Sequence, residues 1–309
     1  MSKFDIKTLV GVIPAVLTPF DKNEEIDEVG MRQLVSYLIG TGINGLYLTG
    51  STGEGFTMSN EERKRVVEIV MDENKGRVPV IVHVGAIGTK LSIDLAKHAE
   101  EVGADGISSV PPFYWKFNED QIFNYYKEIS DACSLPMIVY NVPLVGLLGM
   151  KAIKRLASIE NVKGIKYTAL SHYEITQIKY EVGEDFLVYS GADEMSVSGL
   201  LAGADGIIGS TYNVMPEIFI KIKNAIDNKE IDEAVRLQKQ AVQAIMYLLE
   251  VPSFYAGMKA ILRWRGINAG YCRSPFQNLN KEEELEFKMG YKNLKEKYNI
   301  VDINFLNEL

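Results

Sequence analysis

The sequence has 309 residues, 47% hydrophobic and 24% charged, with a formal net charge of −8. Those fractions belong to a globular chain long enough to bury a large core, and they exclude a disordered or fibrous class. The acidic balance argues against a nucleic-acid surface, which needs clustered Lys and Arg, but leaves small anionic ligands open because a few local groups can hold one carboxylate.

Two cysteines, Cys133 and Cys272, make no disulfide scaffold and have no metal-ligand spacing. The N-terminal MSKFDIKTLVGVIPAVLTPF lacks the apolar core and cleavage site of a secretion signal, and no run approaches the roughly 20 apolar residues that span a bilayer. The expectation is no membrane partner and a reducing cytoplasm.

Along the chain, short apolar runs rich in β-branched residues alternate with amphipathic segments. The strands are expected at Val12–Thr18, Gly45–Leu48, Val80–Val84, Gly106–Val110, Met137–Tyr140, Val162–Lys166, Leu187–Ser190 and Gly206–Ser210. Their near-continuous hydrophobicity is that of parallel strands covered on both faces. Between the first two, Met31, Leu34, Val35, Leu38 and Ile39 recur at helical spacing after Asp27. Ser59 and Glu62 have the form of a capping box, and Asn118 with Gln121 opens a segment carrying Ile122, Tyr125 and Tyr126. Gly42-Ile-Asn-Gly45, Gly103-Ala-Asp-Gly106 and Gly203-Ala-Asp-Gly206 each join a helical segment to a strand. The first Gly suits a left-handed helix end and the Asn or Asp suits a turn.

Eight strands alternating with helices predict a (β/α)8 barrel, a fold of typically about 250 residues. A doubly wound open sheet would usually show a Gly-rich turn after its first strand, where this chain has Pro19-Phe20-Asp21. Ala234, Leu237, Ala241, Ile245 and Leu248 mark a later helix, and Glu282 to Lys297 a charge-rich, exposed one. The expected organisation is a catalytic barrel over 1–225 and a helical extension over 226–309 packed on it as one unit.

Barrel chemistry comes from the C-terminal ends of strands and the loops after them. Gly50-Ser51-Thr52-Gly53-Glu54 offers small residues, amides and two hydroxyls to an anion, or is simply a tight turn. Tyr140 ends strand five, where its phenol can relay protons or merely pack. Lys166 ends an apolar run at the barrel mouth. Desolvation disfavours an ammonium, and the free amine attacks carbonyls; the bland alternative is a solvated lysine. Asp193 and Glu194, after Gly191-Ala192, can accept bonds from a polyhydroxylated ligand or cap a helix. Gly209-Ser210-Thr211-Tyr212-Asn213 is another small, polar mouth. His83, His98 and His172 show no ligand spacing and no Gly-x-Ser-x-Gly elbow appears. Lys166 is then the best covalent catalyst available.

In this order, Gly50-Ser51-Thr52-Gly53-Glu54, Tyr140-Asn141-Val142-Pro143, Gly164-Ile165-Lys166 and Gly209-Ser210-Thr211-Tyr212-Asn213 resemble the N-acetylneuraminate lyase / dihydrodipicolinate synthase superfamily. The resemblance runs from the first strand to Arg273-Ser274-Pro275-Phe276. It implies a TIM barrel with a C-terminal helical extension, usually a homotetramer, and class I aldolase chemistry with no metal and no cofactor. Lys166 would form a Schiff base with pyruvate or a longer 2-keto acid, Ser51 and Thr52 would hold the carboxylate, and Tyr140 would relay protons. Tyr114 matches an aromatic that supports the relay or lines the site, sometimes across a subunit interface.

The synthase branch usually carries an arginine two positions after the proline. Here Pro143 is followed by Leu144 and Val145, and no aliphatic side chain replaces a bidentate carboxylate clamp. The sialic-acid lyase branch instead resembles Gly191, Asp193 and Glu194 with Thr168 and Ser210, groups that would bond the hydroxylated tail of the open-chain sugar. Tyr255 aligns with an aromatic near that tail. The implied reaction is reversible cleavage of sialic acid to N-acetylmannosamine and pyruvate. Leu144-Val145-Gly146-Leu147-Leu148-Gly149 departs from the usual lyase string. An aldolase for another 2-keto-3-deoxy sugar acid is therefore the first alternative, followed by a synthase and a catalytically silent pyruvate-binding paralogue.

Overall fold

In the computed structural model, which describes residues 4–309, the apolar runs form strands β1 (Gly11–Pro14), β2 (Leu46–Leu48), β3 (Val80–His83), β4 (Gly106–Ser109), β5 (Met137–Asn141), β6 (Val162–Tyr167), β7 (Leu187–Ser190) and β8 (Gly206–Gly209). All neighbours are parallel, in the order β1-β8-β7-β6-β5-β4-β3-β2. A parallel bridge between Ala15 and Tyr47 brings β1 back to β2 and closes the (β/α)8 barrel. This closure explains why the first strand is shorter than its apolar run. Ala15 N–H still donates to Gly209 of β8, but Val16 N–H turns to Tyr47 O at 2.8 Å and Leu17 N–H to Asn213 Oδ1 at 3.2 Å. Residues 15–18 form the seam of the barrel rather than a continuing ladder.

Eight helices follow the strands: α1 (Glu28–Gly40), α2 (Asn60–Asn74), α3 (Thr89–Glu101), α4 (Glu119–Ala132), α5 (Met150–Ala157), α6 (Tyr173–Val182), α7 (Ser196–Leu201) and α8 (Pro216–Asp227). Both expected capping boxes form, Ser59 with Glu62 and Asn118 with Gln121. Beyond them come α9 (Ile231–Leu248), α10 (Phe254–Trp264), α11 (Lys281–Tyr298) and α12 (Asn304–Asn307). Charge-rich α11 is not wholly exposed, because Phe287 and Tyr291 on one face are buried.

The recurring Gly-x-Asn/Asp-Gly joints share one construction. Gly42, Gly103 and Gly203 take φ of +87°, +81° and +104°, the left-handed region a Cβ disfavours. The next polar side chain then satisfies an N–H at the start of a neighbouring strand, on its first or second residue. Asn44 Oδ1 accepts from Val12 at 2.9 Å, Asp105 Oδ2 from Val80 at 2.9 Å and Asp205 Oδ2 from Val188 at 2.7 Å. Side chains alternate along each strand. Val12, Leu46, Val80 and Val82 face the helices, while Ile13, Tyr47, Ile81, Ile138, Tyr189 and Ile208 fill the barrel interior. The interior is thus packed with side chains.

Candidate active site

Lys166 sits near the C-terminal end of β6, in register with Tyr140 on β5 and Tyr189 on β7. It is only 4% exposed. Its Nζ lies 4.2 Å from the centre of the Tyr140 ring and 4.8 Å from that of Tyr47. Aromatic faces stabilise a cation electrostatically, while their bulk keeps water from the amine. Tyr47 is held by a bond from its hydroxyl to Ser108 Oγ at 3.0 Å, and burial raises its phenol well above the usual value. Tyr140 meets both Tyr47 and His83 edge-on, at 6.2 and 6.1 Å between centroids. His83 accepts Val110 N–H on Nε2 at 3.2 Å. Burial first, then the charges of Arg63 and Lys166, push its pKa well below the ordinary imidazole value, so this ring is neutral.

The turn after β2 follows the strand that carries Tyr47. Glu54 takes φ +55°, Gly55 N–H reaches back to Gly50 O at 3.0 Å, and a Cβ on Gly55 would fall 2.0 Å from Thr49 O. Only glycine fits there. Thr52 is buried, and its hydroxyl meets that of Ser210, beyond β8, at 2.6 Å. Ser51 lines a mostly apolar cavity of about 290 Å³ together with Glu54, Phe113, Val142, Leu144 and Tyr255. Tyr255, at the start of α10, stacks edge-on against Phe276, and burial lifts its phenol to about 12.

Beyond β6 and β7 the walls become polar. A Cβ on Gly191 would stand 1.9 Å from Thr168 Oγ1 and 3.1 Å from Lys166 Cε, so the missing side chain is what lets these groups converge. Thr168 Oγ1 is buried without a hydrogen-bond partner, as are Ser190 Oγ, His172 Nε2 and Arg63 Nε among the described residues. Most buried hydroxyls are hydrogen-bonded within the fold, and this one, beside Lys166, is not. Asp193 Oδ2 accepts from the Thr211 backbone at 2.8 Å and its hydroxyl at 2.7 Å. Desolvation nevertheless lifts this carboxyl to about 6, against the Thr211 bonds and the nearby positive charge of Lys166. Glu194 is half-buried and also borders a separate cleft of about 480 Å³ between α7 and α9.

The structure therefore gathers Lys166, Tyr140, Thr168 and Gly191 closely, with Asp193 near enough for its carboxyl to sense the lysine. Thr52 and Ser210 form a second, mutually bonded group, and Ser51 shares its cavity with Tyr255. Tyr114 is not brought to that cavity by its own chain. It is 83% exposed at φ +80° and packs against Trp115, while Phe113 lines the cavity in its place.

Several residues at the site escaped sequence reasoning. Tyr47, inside Leu-Tyr-Leu, looks like any core aromatic; its only signal is its place just before Gly50-Ser51-Thr52. Asn141 is fully buried and clamps the departing loop, accepting Leu148 N–H at 2.8 Å and donating to Leu148 O at 3.2 Å. Thr211 and Arg273 stood in strings the sequence singled out, but nothing local paired Thr211 with Asp193, or Lys259 and Arg273 with Glu54. Among the described residues, no group of three or more His, Cys, Asp or Glu is placed to hold a metal ion, and no helix is long and apolar enough to cross a membrane.

The N-acetylneuraminate lyase of Citrobacter koseri is 40% identical over 286 residues, covering 91% of this chain and 96% of that one. A catalytic-lysine mutant of the Ruminococcus gnavus sialic acid aldolase superposes with a TM-score of 0.89 at 32% identity, covering 96% and 100% of the two chains. CdNal from Clostridium difficile, in complex with mannosamine, gives 0.89 at 33% identity, covering 94% and 99%. Residues 8–294, from the approach to β1 into α11, match the model of the dihydrodipicolinate synthetase family, and the chain belongs to that family.

Proposed function

We propose that the protein is a class I aldolase that reversibly cleaves N-acetylneuraminate (sialic acid) to N-acetylmannosamine and pyruvate. The observation that carries this reading is Lys166, a buried amine between two aromatic rings, beside the unpartnered hydroxyl of Thr168 at the end of a barrel strand. The 40% identical lyase and the aldolase with a catalytic lysine support it.

In this reading the free Lys166 amine attacks the keto carbon of the open-chain substrate, and loss of water leaves a protonated imine. Tyr140, left as a phenolate after supplying the proton that departs with that water, then takes the proton of the hydroxyl two carbons away. The carbon–carbon bond between that hydroxyl-bearing carbon and its neighbour breaks, releasing the aldehyde. The bonding electrons pass into the imine as an enamine; protonation of its terminal carbon and hydrolysis return pyruvate and the amine. Positioned proton transfer contributes about 10²- to 10⁴-fold. The chemistry requires neither metal nor organic cofactor. Ser51 and Thr52 hold the carboxylate, and Thr168, Gly191, Asp193, Glu194, Ser210 and Tyr255 receive the sugar tail. A site built for hydroxyls rejects ligands lacking them, because its buried polar groups would go unpaired.

Leu144 and Val145 on the cavity wall support a sugar acid over the synthase reaction, because no guanidinium stands there for a second carboxylate. The same aliphatic wall makes a different 2-keto-3-deoxy sugar acid the second reading. Exposed Tyr114 fits a role across a subunit interface, and with it a homotetramer. Residues 1–225 would be the catalytic barrel of a cytoplasmic enzyme and 226–309 its extension.

The test is reduction with borohydride in the presence of pyruvate, followed by mass spectrometric mapping. Pyruvate should be fixed to Lys166, and absence of that adduct sinks the Schiff-base reading. Comparing cleavage of sialic acid with that of shorter 2-keto-3-deoxy acids then decides between the two substrates.

A further inference from the structure

We infer that Lys259, on helix α10 of the C-terminal region, is a positioning residue for the carboxylate-binding turn Ser51–Thr52, acting through Glu54. This inference rests on the aldolase reading and assigns the late helices a part in substrate binding.

The side chains of Lys259 and Glu54 both have 0% exposure, and Nζ lies 2.6 Å from Glu54 Oε1. The ammonium also donates to Thr18 O at 2.7 Å and Tyr271 O at 2.6 Å, so its three hydrogens are all used. The second oxygen of Glu54 accepts Arg273 N–H at 2.8 Å. Glu54 is in turn joined to the turn it follows. Its N–H donates to Ser51 O at 3.0 Å, and Thr18 Oγ1 donates to the Gly53 carbonyl at 2.8 Å. Lys259 thus grips both Thr18 and Glu54, the two residues that hold the backbone of Ser51 and Gly53.

Arg273 closes the far side. Its guanidinium donates to Glu24 O, to Thr57 O at 3.1 Å and to Glu62 Oε1 at 2.6 Å, so the segment after the turn is fixed as well. Gly53 and Gly55, on either side of left-handed Glu54, add little conformational restraint beyond the turn's own two backbone bonds. Removing two charges from water largely offsets their mutual attraction, so a wholly buried pair is poor evidence for stability. What it supplies is one geometry: any shift of the turn would strand a charge. A cradle of amides and hydroxyls binds a carboxylate well only when its donors are already aimed.

The test titrates pyruvate in the borohydride reaction. Glu54→Gln preserves the shape of the side chain, and Lys259→Met preserves most of its length. Each should raise the half-saturating pyruvate concentration at least tenfold while leaving the adduct yield at saturation near that of the wild type. The double substitution E54Q/K259M removes both buried charges together; its melting temperature should recover towards wild type while half-saturation stays raised. Lys179→Met, which removes another buried lysine paired with Asp205, is the structural control and should lower the melting temperature without moving half-saturation. Folded E54Q with wild-type half-saturation overturns the inference, as does a double variant that regains affinity along with stability. A wild-type protein that forms no Lys166 adduct overturns the aldolase reading and this inference together.

Discussion

Lys166 and Tyr140 stand directly opposite one another in the β5–β6 register, with the amine 4.2 Å from the centre of the phenol ring. Side chains alternate along a strand, so a slip of one residue between β5 and β6 would turn one of the two out of the barrel. The ladder that holds the fold together is therefore also what sets the distance between the two principal candidate groups. The register shift between Met137 and Ile138 lies at the other end of β5, away from the pair.

Replacing Tyr140 with Phe keeps the ring beside the amine and removes only the phenol hydroxyl. Cleavage should fall about 10²- to 10⁴-fold, the usual contribution of a positioned proton relay. Borohydride should still fix pyruvate to Lys166 at saturation. Steady-state turnover against adduct yield measures both, and a phenylalanine variant with unimpaired turnover would remove Tyr140 from the relay.

Asp193 makes a signed pH prediction. Its carboxyl ionises near 6 in the folded protein rather than near 3.8, so the native state binds the extra proton between those values. Its contribution to stability is present below about pH 4 and is lost as pH rises through 6, by up to about 3 kcal/mol. Asp193→Asn does not titrate, so its urea-unfolding free energy should gain on the wild type over that window and level off above it. With the carboxylate as the proposed acceptor for the sugar tail, cleavage should rise through pH 6 in the wild type. In the Asn variant cleavage should be lost while pyruvate is still trapped.

Gly191→Ala tests the convergence of the polar wall. The new methyl would stand 1.9 Å from Thr168 Oγ1, forcing that hydroxyl or the β7 turn to move. Overpacking of this kind destabilises by about 1–3 kcal/mol. Cleavage should suffer by more than the loss of folded protein explains. Circular dichroism melting read beside the specific activity of the folded fraction separates the two effects.

Asn141→Ala should release the Leu144–Gly149 loop. Both backbone groups of Leu148 would lose their partner in a buried setting, at about 1–3 kcal/mol for each group left unsatisfied. Because Leu144 and Val145 line the cavity, substrate KM should rise along with the loss of stability. Urea unfolding and a KM comparison check this, and unchanged values of both would show that the clamp is dispensable.

What was legible in the sequence was local. Apolar runs located all eight strands, Ser59 and Glu62 marked a helix start, and Gly103-Ala-Asp-Gly106 marked a joint, because periodicity and turn chemistry act over a few residues. Lys166 was legible too, as a charge ending an apolar strand. The tertiary structure decided the rest. Tyr47 reads as core until the barrel closes and places its ring beneath the amine. Lys259 and Glu54 lie 205 positions apart, and no local pattern pairs them. Tyr114 belongs to a motif, yet the left-handed backbone at that residue turns it away from the cavity of its own chain. Side chains meet across such separations only through the direction each strand end takes when the sheet curls shut. That direction is a property of the whole barrel, which no short stretch of the chain encodes.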